Sequence, residues 1–353
     1  MESTLSPEKT IEYISQPAFL AKDGIVTAVN NAASQMQVKV GTSINELIKV
    51  GTEDYAGFRS GKLYLELSVG RAWVSICDDV HLFNVEDPYP TPELKALALA
   101  AQHLRMPLSN AMSSIELLKQ NEALENSVSL RQQVSSVNQS IYSLLRSVCN
   151  MSDASPAGIS CQANLQVQNA ASVFDEIFEK LTTFTEKSGQ ILEFTGLKQP
   201  VECLLDPQLM ERAILNMVSN AVKFSPAGST IRIIVKHTGH RLSVTVENTI
   251  SEKQRGTYSN AFLQFRRIPT IEDGLYGIGL GMSVISGIMA AHSGTVLLDT
   301  AKKNTARITL SFPVRTTANS VVRSPIQLLG GYTGGIDSYL VELSDILPNH
   351  FYE

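Results

Sequence analysis

The chain has 353 residues, of which 43% are hydrophobic and 18% charged, so it holds enough apolar material for two or three folded domains. Its formal net charge of −5 argues against a nucleic acid as the main partner, because neutralising phosphates needs a surplus of basic residues. No apolar run reaches the roughly 20 residues of a membrane span, and no basic-then-apolar secretion signal is present, which predicts a cytoplasmic protein.

Residues 1–88 alternate short apolar runs with turn signals. Lys22-Asp23-Gly24 predicts a hairpin turn between two strands, residues 29–33 indicate a strand that leads into a helix, and residues 61–85 read as antiparallel strands. This order resembles a small PAS sensor domain, a family that often has an asparagine where Asn30 lies. The resemblance implies a signal-sensing domain, and no residue in it marks a cofactor.

Two long helices are predicted within residues 89–155. Apolar residues recur at alternating spacings of three and four from Leu94 to Leu118 and again from Leu130 to Val148, the pattern of helices that pack in a bundle. Residues 91–93, Thr-Pro-Glu, give the first helix an N-cap, a proline at its first position and an early carboxylate. One hairpin cannot bury both apolar seams, so we expect a homodimer with a four-helix bundle.

Residues 102–108, QHLRMPL, resemble the phosphoacceptor box of sensor histidine kinases, usually H-E-L-R-x-P-L. Aligned on the leucine, arginine and proline, the family histidine falls on Gln102 and its acidic neighbour on His103. Pro107 supports this register, because a proline inside a helix crowds the carbonyl four residues earlier. That carbonyl belongs to residue 103, where the family has its acidic residue. His103, about 100° around the helix from position 102, is then either a displaced phosphoacceptor or a surface histidine with no catalytic role.

Residues 156–315 predict an α/β sandwich, because helical and strand patterns alternate. The predicted helices run through 173–181, from Pro207 and after Gly281; the predicted strands cover 191–194, 201–205, 230–237, 241–246, 294–299 and 306–312.

Residues 216–226, NMVSNAVKFSP, resemble the N-L-L-x-N-A-x-K-x-[ST]-P box of the GHKL (Bergerat-type) ATP-binding domain of histidine kinases and their relatives. Asn216, Asn220 and Lys223 lie at i, i+4 and i+7 and share one face of a helix. The resemblance implies that the two asparagines hold Mg²⁺ and the ATP phosphates and that the lysine meets a phosphate.

Residues 277–284, GIGLGMSV, resemble the glycine box of the same family, and residues 261–267, AFLQFRR, resemble its aromatic box. Glycines let the backbone close around a triphosphate, and the following helix N-terminus presents free amides to it. The positions implied to bind nucleotide are Gly277, Gly279, Leu280 and Gly281.

The family's D-x-G-x-G box is altered here. Residues 246–252 read VENTISE, so Asn248 takes the aspartate position, and Ile250 and Glu252 replace the glycines. The amide oxygen of Asn248 can still accept a hydrogen bond from the adenine amino group, without charge assistance. Weaker or altered nucleotide binding is the consequence we expect.

The order of the three regions is that of a sensor histidine kinase, an α+β multidomain protein. The resemblance implies transfer of the ATP γ-phosphoryl group to a histidine nitrogen and then to an aspartate of a response regulator. One hypothesis is a working or partly working kinase that uses His103, although Leu104 beside it cannot accept the proton. Another is a pseudokinase, a dimeric nucleotide-binding scaffold that regulates a partner by contact. An anti-sigma-type regulator is disfavoured, because such proteins lack the long hairpin.

Residues 316–353 lie outside the resemblance. Their glycine-rich turn and apolar run predict a segment that extends the last domain or docks on the helical bundle.

Overall fold

The computed structural model describes residues 11–77, 79–86, 92–121, 126–153, 163–185, 189–250, 280–300, 302, 304–316, 333 and 336–353. Within these residues the fold is mixed α/β, and none of the helices is both long and apolar enough to cross a lipid bilayer.

The N-terminal region is an antiparallel sheet with three short helices. The strands are β1 (Ala18–Lys22), β2 (Ile25–Val29), β3 (Ile48–Val50), β4 (Lys62–Leu67), β5 (Gly70–Cys77) and β6 (Val80–Val85), and the helices are α1 (Asn31–Gln35), α2 (Ile44–Leu47) and α3 (Thr52–Gly57). The strand order is β2-β1-β6-β5-β4, with β3 beside β4. The predicted hairpin turn is confirmed, since Asp23 and Gly24 have φ of 52° and 77° between β1 and β2.

Asn30 ties the start of this region together. Its side-chain oxygen accepts from the backbone N–H groups of Ala18 (3.1 Å) and Ala33 (2.9 Å), and so caps α1. Its amide nitrogen donates to the carbonyls of Ile14 (2.8 Å) and Gln16 (2.6 Å). All four bonds come from one buried side chain, which fixes where the chain passes from β2 into α1.

The two predicted long helices are confirmed as α4 (Pro92–Lys119) and α5 (Val128–Ser152), which pack against each other. Pro107 lies inside α4, and Ser127 caps α5 by accepting from the Leu130 N–H. The predicted N-cap Thr91 lies outside the described residues.

The C-terminal region contains the predicted sandwich. Its helices are α6 (Ala170–Thr185), α7 (Pro207–Phe224) and α8 (Gly281–Ala291), and its strands are β7 (Gln166–Asn169), β8 (Ile191–Thr195), β9 (Glu202–Leu205), β10 (Thr230–Thr238), β11 (Arg241–Thr249), β12 (Thr295–Asp299) and β13 (Thr305–Pro313). Five strands form a sheet in the order β12-β13-β11-β10-β8, and β7 pairs with β9 separately. One apolar core lies between this sheet and the three helices.

The N-terminal and C-terminal sheets are joined edge to edge, which the sequence analysis did not predict. Strand β4 pairs with β12 in antiparallel register, with Tyr64 opposite Val296 and Lys62 opposite Leu298, so both regions share one 11-stranded sheet. The backbones approach so closely that a Cβ on Gly61 would lie 1.8 Å from the Leu298 carbonyl oxygen. We call this contact the sheet joint.

Residues 336–353, which we call the tail, contain α9 (Ser338–Glu342) and a 3₁₀ turn at Asn349–Tyr352. The tail packs against both α5 and α7, and its apolar residues belong to the same core as α6, α7 and α8. It therefore docks on the hairpin and on the last domain at once.

Candidate nucleotide site

Helix α7 carries the N-L-L-x-N-like box, and its start is fixed by local signals. Asp206 caps it by accepting from the backbone N–H groups of Gln208 (3.0 Å) and Leu209 (3.1 Å), and Pro207 occupies the first turn. The backbone N–H of Asp206 donates to Nε2 of His292 (3.0 Å). Because Nε2 accepts, Nδ1 carries the ring proton and donates to the Ile288 carbonyl (2.8 Å), and burial lowers the pKa of this neutral histidine.

Asn216, at the middle of α7, is completely buried. Its amide nitrogen donates to the Arg212 carbonyl (3.0 Å) and to the carboxylate of Glu342 in the tail (2.9 Å). Its oxygen accepts from the Arg146 guanidinium of α5 at 3.4 Å. Every polar atom of the first predicted magnesium ligand is thus engaged by the protein.

Asn220 and Lys223 lie one and two turns further along α7. Asn220 is partly exposed, whereas the Lys223 ammonium pairs with Asp345 of the tail. Burial lowers the pKa of Lys223 and the nearby Arg146 lowers it further, against the opposing effect of Asp345. The predicted phosphate-binding lysine is therefore already paired with a carboxylate.

Asn248 lies near the end of β11, next to the C-terminal end of α7, and is buried. Its amide nitrogen donates to Ser225 Oγ (3.1 Å) and lies 3.4 Å from the Ala221 carbonyl. Its oxygen has no donor among the residues that the structure describes. This arrangement leaves an anchored side-chain acceptor, as recognition of an adenine amino group requires.

Gly281 is the first residue of α8 and touches α7. A Cβ built there would lie 2.9 Å from Asn216 Oδ1, so only glycine allows this approach without a shift. Leu280 is the N-cap residue of α8. Gly277 and Gly279 lie outside the described residues, as does the aromatic-like box at 261–267.

Gln102 and His103 are both exposed on α4. Leu104, which follows them, is 46% exposed, and Arg105 donates to Ser152 Oγ on α5 (3.2 Å). Either side chain at 102 or 103 is open to solvent in a single chain.

Glu342 and Asp345, with their partners Arg146 and Arg212, are the site residues that the sequence analysis missed. The signal was present, because two carboxylates interrupt the apolar run 339–347 at a spacing of three. A carboxylate in such a run must be paired when it is buried. The pattern alone does not say with which cations.

Residues 205–316 match the family model described as histidine kinase-, DNA gyrase B- and HSP90-like ATPase. The chain is 26% identical over 235 residues to the sensor histidine kinase CusS of Escherichia coli K12, a match covering 65% of this chain and 47% of CusS. It is 26% identical over 258 residues to the adaptive-response sensory kinase SasA of Microcystis aeruginosa, covering 68% of this chain and 65% of SasA.

Among solved structures, full-length ShkA in complex with AMPPNP is similar at a TM-score of 0.47 and 22% identity, covering 64% of this chain and 46% of ShkA. The chain spans about half the length of CusS and just under two thirds of SasA.

Proposed function

Because the chain is a homologue of sensor histidine kinases with an ATPase domain of the histidine kinase, gyrase B and HSP90 type, we propose that it binds ATP and acts in two-component signal transduction. The observation that carries this proposal is that the C-terminal part of α7 packs against the end of β11. Lys223 supplies a cation for phosphate on α7, and the anchored Asn248 presents an amide oxygen for adenine. Asn216, Asn220, Leu280 and Gly281, with Gly277 and Gly279 outside the described residues, complete the proposed nucleotide-binding set.

The proposed reaction is transfer of the γ-phosphoryl group of ATP to an imidazole nitrogen of His103, with ADP leaving, and then to an aspartate of a response regulator. His103 is exposed, so a second domain can reach it. Gln102 has no imidazole, and Leu104 cannot take the proton that His103 loses. We therefore expect slow transfer.

Homodimerisation through the hairpin is part of the proposal. Several seam residues stay between 40% and 55% exposed in the single chain: Leu104, Leu118, Leu130, Val137 and Leu144. An apolar stripe of this kind on a helical hairpin favours burial against a second copy as a four-helix bundle.

We also propose that the N-terminal region is a PAS-like sensor. The order of its elements supports this: two strands, then short helices interrupted only by β3, then three antiparallel strands, close to the order on which the resemblance rests. Asn30 supports it as well, since its four hydrogen bonds give that position a structural role.

The resemblance assigns Mg²⁺ to Asn216 and Asn220, and in the arrangement described Asn216 does not fit that role. Its oxygen faces the Arg146 guanidinium, and a metal ion there would meet a cation in place of a free ligand. We propose magnesium binding only for a state in which Arg146 and the tail have moved.

A pseudokinase is the second candidate function. Gln102 at the family histidine position favours it, and so do the tail carboxylates that pair with Lys223 and Asn216. In this reading the protein binds nucleotide and regulates a partner by contact.

Labelling with γ-³²P-ATP and Mg²⁺ separates the two candidates. The kinase hypothesis predicts an acid-labile, alkali-stable label that His103→Ala abolishes and that His237→Ala, at another exposed histidine, leaves unchanged. The double variant Gln102→His, His103→Glu restores the family box and should raise labelling. Absence of label in every variant, with ATP bound in a direct titration, supports the pseudokinase, and absence of ATP binding refutes both.

A further inference from the structure

The tail is held in place by apolar packing and by hydrogen bonds from the hairpin. On α5, Asn138 donates to the Tyr352 carbonyl (2.9 Å), and Gln139 donates to the carbonyls of Ser344 and Leu347 (2.8 Å each). The apolar tail residues that are no more than 3% exposed are Tyr339, Val341, Leu343, Leu347 and Tyr352. The tail is therefore seated independently of its charged residues.

Two carboxylates of the tail, the buried Glu342 and the more exposed Asp345, meet the cations of the candidate site. Glu342 is fully buried and accepts from Arg212 Nε (3.1 Å), Arg146 Nε (3.2 Å) and Asn216 Nδ2 (2.9 Å). Asp345 accepts from Arg146 Nη1 (2.8 Å) and pairs with Lys223. Glu342 thus faces one end of the proposed phosphate-binding side of α7, and Asp345 faces the other.

Three cations and three carboxylates form one network of ion pairs beside α7, and two of the carboxylates belong to the tail. The cations are Arg146, Arg212 and Lys223, and the anions are Asp153, Glu342 and Asp345. Without the tail, Asp153 is the one carboxylate of these ion pairs that stays, and it already binds Arg212 at 2.6 Å, so Arg146 and Lys223 would lose their anions. Arg146 and Lys223 would then be open to another anion, and a polyphosphate supplies charge-assisted acceptors for both.

We propose that the tail is a built-in competitor of the nucleotide: its carboxylates at 342 and 345 take the place of ATP phosphates on Arg146 and Lys223, so ATP and the docked tail exclude each other. This rests on the proposed nucleotide binding. Asp345 also bridges Arg146 of the hairpin and Lys223 of α7, so nucleotide entry removes this bridge between the two. Tail docking and ATP binding are therefore coupled equilibria. The factor by which bound ATP weakens tail docking equals the factor by which tail docking weakens ATP binding, so removing the tail raises the affinity for ATP.

The test uses the full chain and the non-hydrolysable analogue AMPPNP with Mg²⁺. Calorimetry gives the affinity of the wild type, of Asp345→Asn, and of Asp175→Asn, a matched change at an exposed carboxylate of α6. Hydrogen exchange follows the tail amides of Leu343, Leu347 and Phe351, which bond within the tail. Near-UV circular dichroism checks that each variant is folded.

We expect AMPPNP to speed exchange of the tail amides in the wild type, Asp345→Asn to bind AMPPNP about tenfold more tightly, and Asp175→Asn to bind like the wild type. AMPPNP binding that leaves tail exchange unchanged or slower would overturn the competition and leave nucleotide binding intact. No AMPPNP binding by any of the three proteins at millimolar concentration would overturn the nucleotide site itself.

Discussion

Replacing Gly61 with alanine tests whether the sheet joint holds the N-terminal region to the C-terminal region. A Cβ at Gly61 would lie 1.8 Å from the Leu298 oxygen, and Cβ contacts below 3.0 Å essentially do not occur, so one backbone must retreat by at least 1.2 Å. Gly61 also has φ of +83°, which an L-residue adopts at a cost of about 1 kcal/mol.

The retreat has a calculable cost. It breaks the pairing of β4 with β12 over three residues, and it separates Ser60 from Asp299 (3.0 Å). It also strains the contacts of Asp54 with Arg241 (2.8 Å) and Thr295 (2.7 Å). At about 1 kcal/mol net for each lost hydrogen bond, we expect Gly61→Ala to lower the free energy of unfolding by about 3 to 4 kcal/mol in total.

The chain offers both a probe and a control. Trp73, the only tryptophan, lies on β5 with its ring 5.1 Å from that of Tyr64, and it packs against the ATPase core. Its fluorescence therefore reports opening of the joint, whereas far-UV circular dichroism reports the whole chain during urea unfolding. Gly24→Ala is the control, because Gly24 has φ of +77° and no atom within 4 Å of an added Cβ.

Gly24→Ala should cost only the conformational term of about 1 kcal/mol. In Gly61→Ala the Trp73 transition should occur at lower urea than the circular dichroism transition, because the joint opens first. If the two variants lose the same stability and both keep coincident transitions, steric closeness at the joint contributes nothing and the reasoning is wrong.

Three further predictions concern single side chains. Asn30→Ala should lower the free energy of unfolding by about 2 to 4 kcal/mol in a denaturant titration, because four hydrogen bonds, two of them fully buried, are lost. The same change at its exposed neighbour, Asn31→Ala, should alter the free energy of unfolding by less than about 0.5 kcal/mol. Burial lowers the pKa of Lys62 to about 8, so its charge destabilises the fold below pH 8, and this penalty fades as the pH rises toward the unfolded pKa near 10.4. Lys62→Met should therefore raise the free energy of unfolding by about 1 to 2 kcal/mol at pH 7, allowing for partial solvent screening, and by less at pH 9.5. The control Lys236→Met, at an exposed lysine, should not raise it. Burial likewise lowers the pKa of His292, so the stability that its neutral form contributes is complete above the unfolded pKa near 6.5 and is lost as the pH falls below it, by at most about 1.4 kcal/mol per pH unit. His292→Gln should make the free energy of unfolding depend less steeply on pH in this range. A pH dependence unchanged by the substitution would contradict the assignment of a buried neutral histidine.

Most elements were predictable because their signals are local. Asp206 and Pro207 mark the start of α7 within two residues, and the alternation of β10 and β11 reads directly as paired strands. The positions of Asn216, Asn220 and Lys223 on one helix were equally predictable, because helical periodicity sets them. Their hydrogen-bond and ion-pair partners were not predictable, since Asn216 is bonded to Glu342, more than a hundred residues away in the chain.

The sheet joint was unpredictable for a related reason. Strand β4 closes one sheet and β12 another, and each alone would leave an unpaired edge that must be covered. The residues of β4 and β12 do not indicate that these two edges pair with each other, because strands pair through backbone hydrogen bonds, which depend little on the side chains. The one sequence feature at the joint that reflects the pairing is Gly61, since its lack of a Cβ lets β4 approach the Leu298 carbonyl of β12.

The sheet joint and the tail act on the same helix. Strand β12 follows α8, whose last turn is tied to the start of α7 through His292, and whose first residue, Gly281, touches Asn216. The tail holds Asn216 from the other side through Glu342. Such contiguity is not coupling, which needs a measured interaction energy.

A double-mutant cycle supplies that measurement. If both restraints position Asn216, the gain in AMPPNP affinity from Asp345→Asn should shrink by at least about twofold, or about 0.4 kcal/mol, when Gly61→Ala is also present. The expected sign follows because a loosened α8 no longer holds Gly281 against Asn216 once the tail has gone. Additive effects of the two substitutions would show that the N-terminal region and the tail act on the proposed nucleotide site independently.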